Sequence, residues 1–164
     1  MIDRPPRTGT AGSLTRVLRW LAGLGATGCA LFVMLRYKDL PDQVPVHFGF
    51  DGRPDTWGDP SGIAWITVLM VVLTLGLVVL SHYPRIYNYP VRVTAGNAQG
   101  LYVAGERMMS GMAVAIVVLF AGAVASMFGN DGQGHVLMLV GMGAVALVTV
   151  LGIVGMVRAG RRRA

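Results

Sequence analysis

Four long runs without Asp, Glu, Lys or Arg constrain the fold of this chain more than any other feature: residues 20–35, 60–84, 108–130 and 136–157. About 20 apolar residues in an α-helix, each rising about 1.5 Å, cross the hydrocarbon core of a bilayer. The last three runs are long enough, and the first becomes so if Arg19 and Arg36 extend to the two headgroup layers. We therefore predict an all-α membrane protein whose four transmembrane helices form a bundle.

The runs and their flanking turn signals also predict the organisation of the chain. We expect helices at about 16–37, 62–83, 95–129 and 135–158, all within one membrane domain of residues 1–164. The connections are an outer loop at 38–61, a cytoplasmic loop at 84–94 and a basic tail at 158–164. The first run could instead be a secretory signal or, at Cys29, a lipoprotein signal. Nothing after it is typical of a cleavage site, so we expect an uncleaved anchor.

The charges predict the orientation of the helices. The N-terminal residues, the segment 85–107 and the tail together carry eleven arginines against Asp3 and Glu106, whereas the other two connections carry three basic residues against six aspartates. Because basic loops stay in the cytoplasm, both termini and the middle loop are predicted to be cytoplasmic in a bacterial plasma membrane. The basic tail suits anionic lipid rather than nucleic acid, since no folded basic domain is left to bind nucleic acid.

The third helix is predicted to begin in the cytoplasm. Apolar residues recur at spacings of three and four from Ala98 to Met112, which places them on one stripe, with Asn97, Gln99, Glu106 and Arg107 off it. Thr94 is a plausible N-cap. Before this helix, three tyrosines have the chemistry of an interfacial belt and are expected to anchor the loop at the membrane surface: Tyr83, Tyr87 and Tyr89.

The stretch VPVHFGFDGRPDTWGDP, residues 44–60, differs from the apolar runs around it. Its first seven residues alternate with the two-residue period of a strand, and Asp51-Gly52 is a strong turn signal. We predict a short irregular hairpin on the extracytoplasmic surface between helices 1 and 2.

The hairpin contains candidate metal ligands, namely His47, Asp51 and Asp55. They lack the order of a calcium loop and the paired histidines of a zinc site, so they bind a divalent ion only if the fold makes them converge. No serine or cysteine nucleophile lies beside His47. Because every Asp, Glu, Lys and Arg lies outside the four apolar runs, we predict no proton pathway across the membrane. We expect no enzyme activity and no cofactor, and a small metal-binding, solute-binding or transport-related protein stays the alternative.

Small residues recur four positions apart in the apolar runs: Gly25 with Cys29, Gly111 with Ala115, Ala121 with Ala125, and Gly122 with Ser126. Such spacing lets helix backbones approach closely in lipid. It is typical of packing within a bundle, and it also makes a homodimer possible.

Two segments resemble a bacterial integral-membrane family of unknown function that includes the SdpI immunity proteins. The first, LPDQVPVHFGFDGRPDTW, resembles the family's extracytoplasmic motif at Leu40, Pro41, Val44, Pro45, His47, Phe48, Gly52, Pro54, Asp55 and Trp57. The second resembles its cytoplasmic motif at Asn88, Tyr89, Pro90, Val91, Val93, Thr94, Asn97 and Tyr102. This chain has Ala95 and Gly96 where members often carry an acidic pair, and the immunity proteins are longer, with additional spans.

The resemblance implies a function. SdpI proteins protect a bacterium from its own secreted toxin peptide and help to sequester a cytoplasmic repressor at the membrane. By analogy, the outer-loop recognition residues would be His47, Phe48, Gly52, Pro54, Asp55 and Trp57, and the cytoplasmic motif would be Asn88, Pro90, Thr94, Asn97 and Tyr102. The implied partners are membrane lipid, a secreted peptide outside and a transcriptional repressor inside.

Overall fold

Four helices dominate the computed structural model, which describes residues 4–49, 54–129 and 133–161. They are α1 (Ser13–Arg36), α2 (Gly62–Leu80), α3 (Ala98–Phe128) and α4 (Gln133–Arg161). Each is long and apolar enough to cross a membrane. The predicted all-α membrane fold with four transmembrane helices is therefore confirmed.

Helix α3 lies at the centre of the bundle, where it packs against α1, α2 and α4, while α4 makes its extensive contacts with α3. Glycines allow the α3–α4 approach, since a Cβ at Gly122 would overlap the backbone of α4, and one at Gly141 would overlap the backbone of α3. Gly25 likewise faces Val117 of α3, and Gly111 faces Val148 of α4. The recurring small residues thus serve helix contacts within one chain.

The outward surface of the helices is apolar. Large side chains that are more than half exposed include Trp20, Leu24, Met34, Trp65, Val72, Val136, Val150 and Leu151. In water, so much exposed apolar surface would cost free energy, whereas lipid tails cover it without that cost.

A two-stranded antiparallel sheet connects α1 to α2 and consists of β1 (Val44–Phe48) and β2 (Pro54–Gly58). Its register shifts between Pro45 and His47 and again between His47 and Phe48. The predicted short irregular hairpin is therefore confirmed. The Asp51-Gly52 turn lies outside the described residues. We call this end of the bundle the hairpin end.

The opposite end, which we call the arginine-rich end, is formed by residues 4–12, the connection 81–97 and the last turns of α4. At this end, the prediction that Thr94 caps α3 was wrong. The helix begins at Ala98 and Asn97 precedes it. The Asn97 side chain folds back, accepting the Thr94 N–H at 2.8 Å and donating to the Arg92 carbonyl at 3.0 Å. Because the Asn97 side chain satisfies these backbone groups, residues 94–97 form a turn and the helix begins only after it.

Candidate functional site

The hairpin is fixed to the bundle through the start of β1. Val44 is fully buried in a cluster with Val33 of α1, Ile63 of α2 and Val124 of α3. Pro45 beside it is also fully buried. Three helices therefore hold the base of the hairpin, and the rest of it projects from a rigid support.

Beyond this base, the predicted recognition residues face outward. His47 Nδ1 lies 2.6 Å from Asp55 Oδ1, and the two side chains are 68% and 50% exposed. Thr56 donates its hydroxyl to the same carboxylate at 3.1 Å. The hydrogen bond from His47 lowers the pKa of Asp55, so this carboxylate is ionised at neutral pH. Trp57, opposite Pro45 in the sheet, is 47% exposed.

The other predicted residues of the outer loop are either partly buried or not fully described by the structure. Pro54 begins β2 and is half-buried. Phe48 ends β1, and only its backbone is described. Gly52 and Asp51 lie outside the described residues. The structure thus brings together His47 and Asp55, with Trp57 on the neighbouring strand.

The described residues contain no group of three or more His, Cys, Asp or Glu side chains placed to hold a metal. Of the candidate ligands, the described pair His47 and Asp55 bond to each other. A nearby carboxylate, Asp59, is engaged at the start of α2, where it accepts the Ser61 N–H at 2.7 Å. Hydrogen bonding from the Ser61 side chain, and then from this N–H, lowers the pKa of Asp59.

At the arginine-rich end, residues 4–12 cross the start of α3. Arg7 binds Glu106 through two parallel hydrogen bonds, from Nε to Oε1 at 2.7 Å and from Nη2 to Oε2 at 3.2 Å. Glu106 is only 3% exposed, so the prediction that it lies off the packed face of α3 was wrong. The bidentate partner neutralises the buried carboxylate, and the same bonds raise the pKa of Arg7.

Further hydrogen bonds hold this N-terminal segment. Tyr102 donates its hydroxyl to the Pro5 carbonyl at 2.8 Å. Gln99 donates to the Pro6 carbonyl at 2.7 Å and accepts the Thr8 N–H at 3.0 Å. Backbone groups of three residues in the segment, Pro5, Pro6 and Thr8, therefore form hydrogen bonds with side chains of α3.

Three tyrosines form a packed cluster beneath the segment. Ring centroids are 5.9 Å apart for Tyr87 and Tyr89 and 6.1 Å apart for Tyr89 and Tyr102. Gly105 of α3 admits them, since a Cβ there would lie 2.8 Å from the Tyr87 ring. Burial raises the pKa of Tyr87 and of Tyr89, which keeps both hydroxyls neutral.

The predicted role of the loop tyrosines as a membrane belt is thus wrong for Tyr87, which is 8% exposed, whereas Tyr89 is half-buried. Tyr87 and Tyr89 donate their hydroxyls to the carbonyls of Leu80 and Pro84, each at 2.8 Å. Tyr83 is 58% exposed, as a belt residue would be. Helix periodicity does not reveal such packing because Tyr87 and Tyr89 lie in the irregular connection between α2 and α3.

The predicted cytoplasmic motif divides into two parts. Asn97 and Tyr102 are buried and hold the connection and the N-terminal segment in place, whereas Asn88, Pro90 and Thr94 are exposed. The sequence reasoning missed the Arg7–Glu106 pair. The available signal was a lone carboxylate in a segment otherwise rich in arginine.

Comparisons with known proteins match part of the chain. Residues 24–72 match the family described as "Domain of unknown function (DUF1648)", a stretch that contains the second half of α1, the hairpin and the first half of α2. A protein of Archaeoglobus fulgidus described as "Uncharacterized protein" is 28% identical over 68 residues, which cover 37% of this chain and 37% of that relative. No solved structure matches the chain. The chain is therefore a membrane protein with a segment similar to a family of unknown function, and that segment includes the hairpin.

Proposed function

We propose that this chain is a non-enzymatic, SdpI-like protein of the bacterial plasma membrane whose hairpin recognises a secreted peptide. The outcome would be immunity to a toxin peptide or a signal passed to the cytoplasm. One observation carries the proposal: the hairpin has a buried base at Val44 and Pro45 and exposed side chains at His47, Asp55 and Trp57. A rigid base with exposed charged and aromatic groups is the arrangement of a recognition surface.

The proposal requires the hairpin to lie outside the cell and both termini to lie inside. Charge supports this orientation of the arginine-rich end, since the N-terminal residues, the segment 85–107 and the basic tail carry eleven of the fourteen basic residues of the chain. At that end, a cytoplasmic repressor would meet the exposed part of the motif, at Asn88, Pro90 and Thr94.

Helix α3 offers a route between the two ends. Its Val124 and Met127 pack with Val44 below the hairpin, and its Glu106 and Tyr102 hold the N-terminal segment. A shift of this one helix would change contacts at both ends. For such coupling, α3 must have two alternative positions, and binding at either end must favour one of them.

Cell survival tests the proposal. Cells that lack the protein are challenged with peptides secreted by the parent strain, and the chain is restored as wild type, His47→Ala, Asp55→Ala or Trp57→Ala. We expect wild type to restore growth and each variant to lose most of the protection, because truncating an exposed recognition side chain removes about 1 kcal/mol or more of binding.

Val46→Thr is the matched control, since Val46 is also exposed on β1 but lies outside the recognition set. It should protect as well as wild type at equal membrane abundance. If deletion of the protein alters neither peptide sensitivity nor the expression of any adjacent regulator, the proposal is wrong.

A further inference from the structure

A groove of about 570 Å³ runs between the start of α3 and the end of α4. Its walls are apolar or small where the helices approach, at Val103 and Ala104 on α3 and at Gly155 and Ala159 on α4. Its volume lies within the usual range for sites that hold a small molecule. The groove therefore has space for a ligand of which one part is apolar.

Two arginines line the same groove, Arg107 from α3 and Arg158 from α4. Both are exposed, and neither forms an ion pair or a side-chain hydrogen bond with any described residue. Glu106 is next to Arg107 in sequence, but both of its oxygens bind Arg7. The groove thus contains two positive charges without a negative partner in the described part of the chain.

The remaining polar side chains of the groove are already engaged. Asn97 uses both its oxygen and its nitrogen on the connection 81–97, and Gln99 uses both on the N-terminal segment. What the groove lacks is an anion that two guanidinium groups can share.

We propose that this groove binds one anionic phospholipid, with its phosphate between Arg107 and Arg158 and its acyl chains along the apolar walls. Charge complementarity favours this occupant, because basic pockets between transmembrane helices suit acidic headgroups. The two arginines also directly adjoin the uncharged runs 108–130 and 136–157 of two helices that are long and apolar enough to span a membrane. This inference depends neither on the proposed function nor on which side of the membrane the end faces.

Native mass spectrometry of the full chain in detergent tests the inference. Phosphatidylglycerol and phosphatidylcholine with identical acyl chains are added separately, and the fraction of protein carrying one lipid is measured. Wild type should retain phosphatidylglycerol preferentially. The double variant Arg107→Gln/Arg158→Gln should lose about tenfold or more in apparent affinity for it, because two charge-assisted contacts are lost.

The matched control is Arg16→Gln/Arg92→Gln, which removes the same charge from two exposed arginines outside the groove. It should bind phosphatidylglycerol within about twofold of wild type. Gly155→Leu fills the groove without altering charge, since a Cβ there meets only Ala104 Cβ, at 3.9 Å. It should also lose phosphatidylglycerol while keeping its helical circular dichroism.

Three outcomes would overturn the inference. The first is equal retention of both lipids by wild type, and the second is an equal loss of binding in the two double variants. The third is displacement of phosphatidylglycerol by an equimolar amount of inorganic phosphate, which would indicate an anion site without a role for the acyl chains.

Discussion

At the scale of single residues, the Arg7–Glu106 pair joins two segments 99 positions apart in the chain. Glu106 is the one carboxylate in residues 4–12, in the connection 81–97 and in the described residues of α3 and α4. Removing one partner of a buried ion pair leaves a charge without compensation, which costs more than the pair contributes. The pair is therefore expected to determine whether the N-terminal segment stays on α3.

Arg7→Ala should release this segment. The buried Glu106 carboxylate would lose its bidentate partner, and docking would weaken by about 3 kcal/mol. Hydrogen–deuterium exchange at residues 4–12 should then accelerate by about 100-fold, most clearly at the Thr8 amide that bonds Gln99.

Arg16→Ala is the control, because Arg16 is exposed and has no side-chain partner among the described residues. It should leave exchange of the segment unchanged. Protection of Thr8 that persists in Arg7→Ala would contradict the importance of the pair.

At the scale of elements, the α3–α4 contact depends on glycine. A Cβ at Gly141 would overlap the backbone of Leu119, which cannot move as a flexible side-chain end can. Gly143, on the same helix, has nothing within 4 Å of such a Cβ. The two glycines therefore differ in environment although they are two residues apart.

We expect Gly141→Ala to separate the helices and to lower the free energy of unfolding by about 1–3 kcal/mol, as overpacking does in well-packed cores. Gly143→Ala should stay within about 1 kcal/mol of wild type, in the stabilising direction, because alanine is the better helix former. Denaturation in mixed micelles by sodium dodecyl sulfate, followed by circular dichroism, measures both. Equal losses in the two variants would show that helix contact does not explain the effect.

The elements were predictable to different degrees. Uncharged runs predicted four helices because lipid forces a spanning segment to satisfy its own backbone, and alternation predicted the hairpin. Contacts of irregular chain were not predictable. The position of residues 4–12 depends on pairings such as Tyr102 with Pro5, which no local period encodes. For the same reason Glu106 was expected at the surface, since a stripe analysis places every charged side chain outside.

At the scale of the whole molecule, the two ends differ in charge and in structure. The hairpin end carries an exposed two-stranded sheet, and the arginine-rich end carries the packed tyrosines and the lipid groove proposed above. The membrane orientation proposed for the chain rests on this asymmetry of charge.

Cysteine labelling tests the orientation. In a Cys29→Ser background, Asp42→Cys should react with a membrane-impermeant maleimide in intact spheroplasts, whereas Arg92→Cys should react only after permeabilisation. Both positions are exposed, and they lie in connections at opposite ends of the bundle. The Cys29→Ser chain alone should stay unlabelled. The reverse labelling pattern would place the hairpin in the cytoplasm.

The burial of Val44 by Val124 also sets an order of assembly during synthesis. These residues are 80 positions apart in the sequence (124 minus 44). At a synthesis rate of about 5–20 residues per second, the ribosome adds the covering helix several seconds after the hairpin strands. Until then the base of the hairpin has only α1 and α2 beside it. Slower translation between α2 and α3 would lengthen this interval.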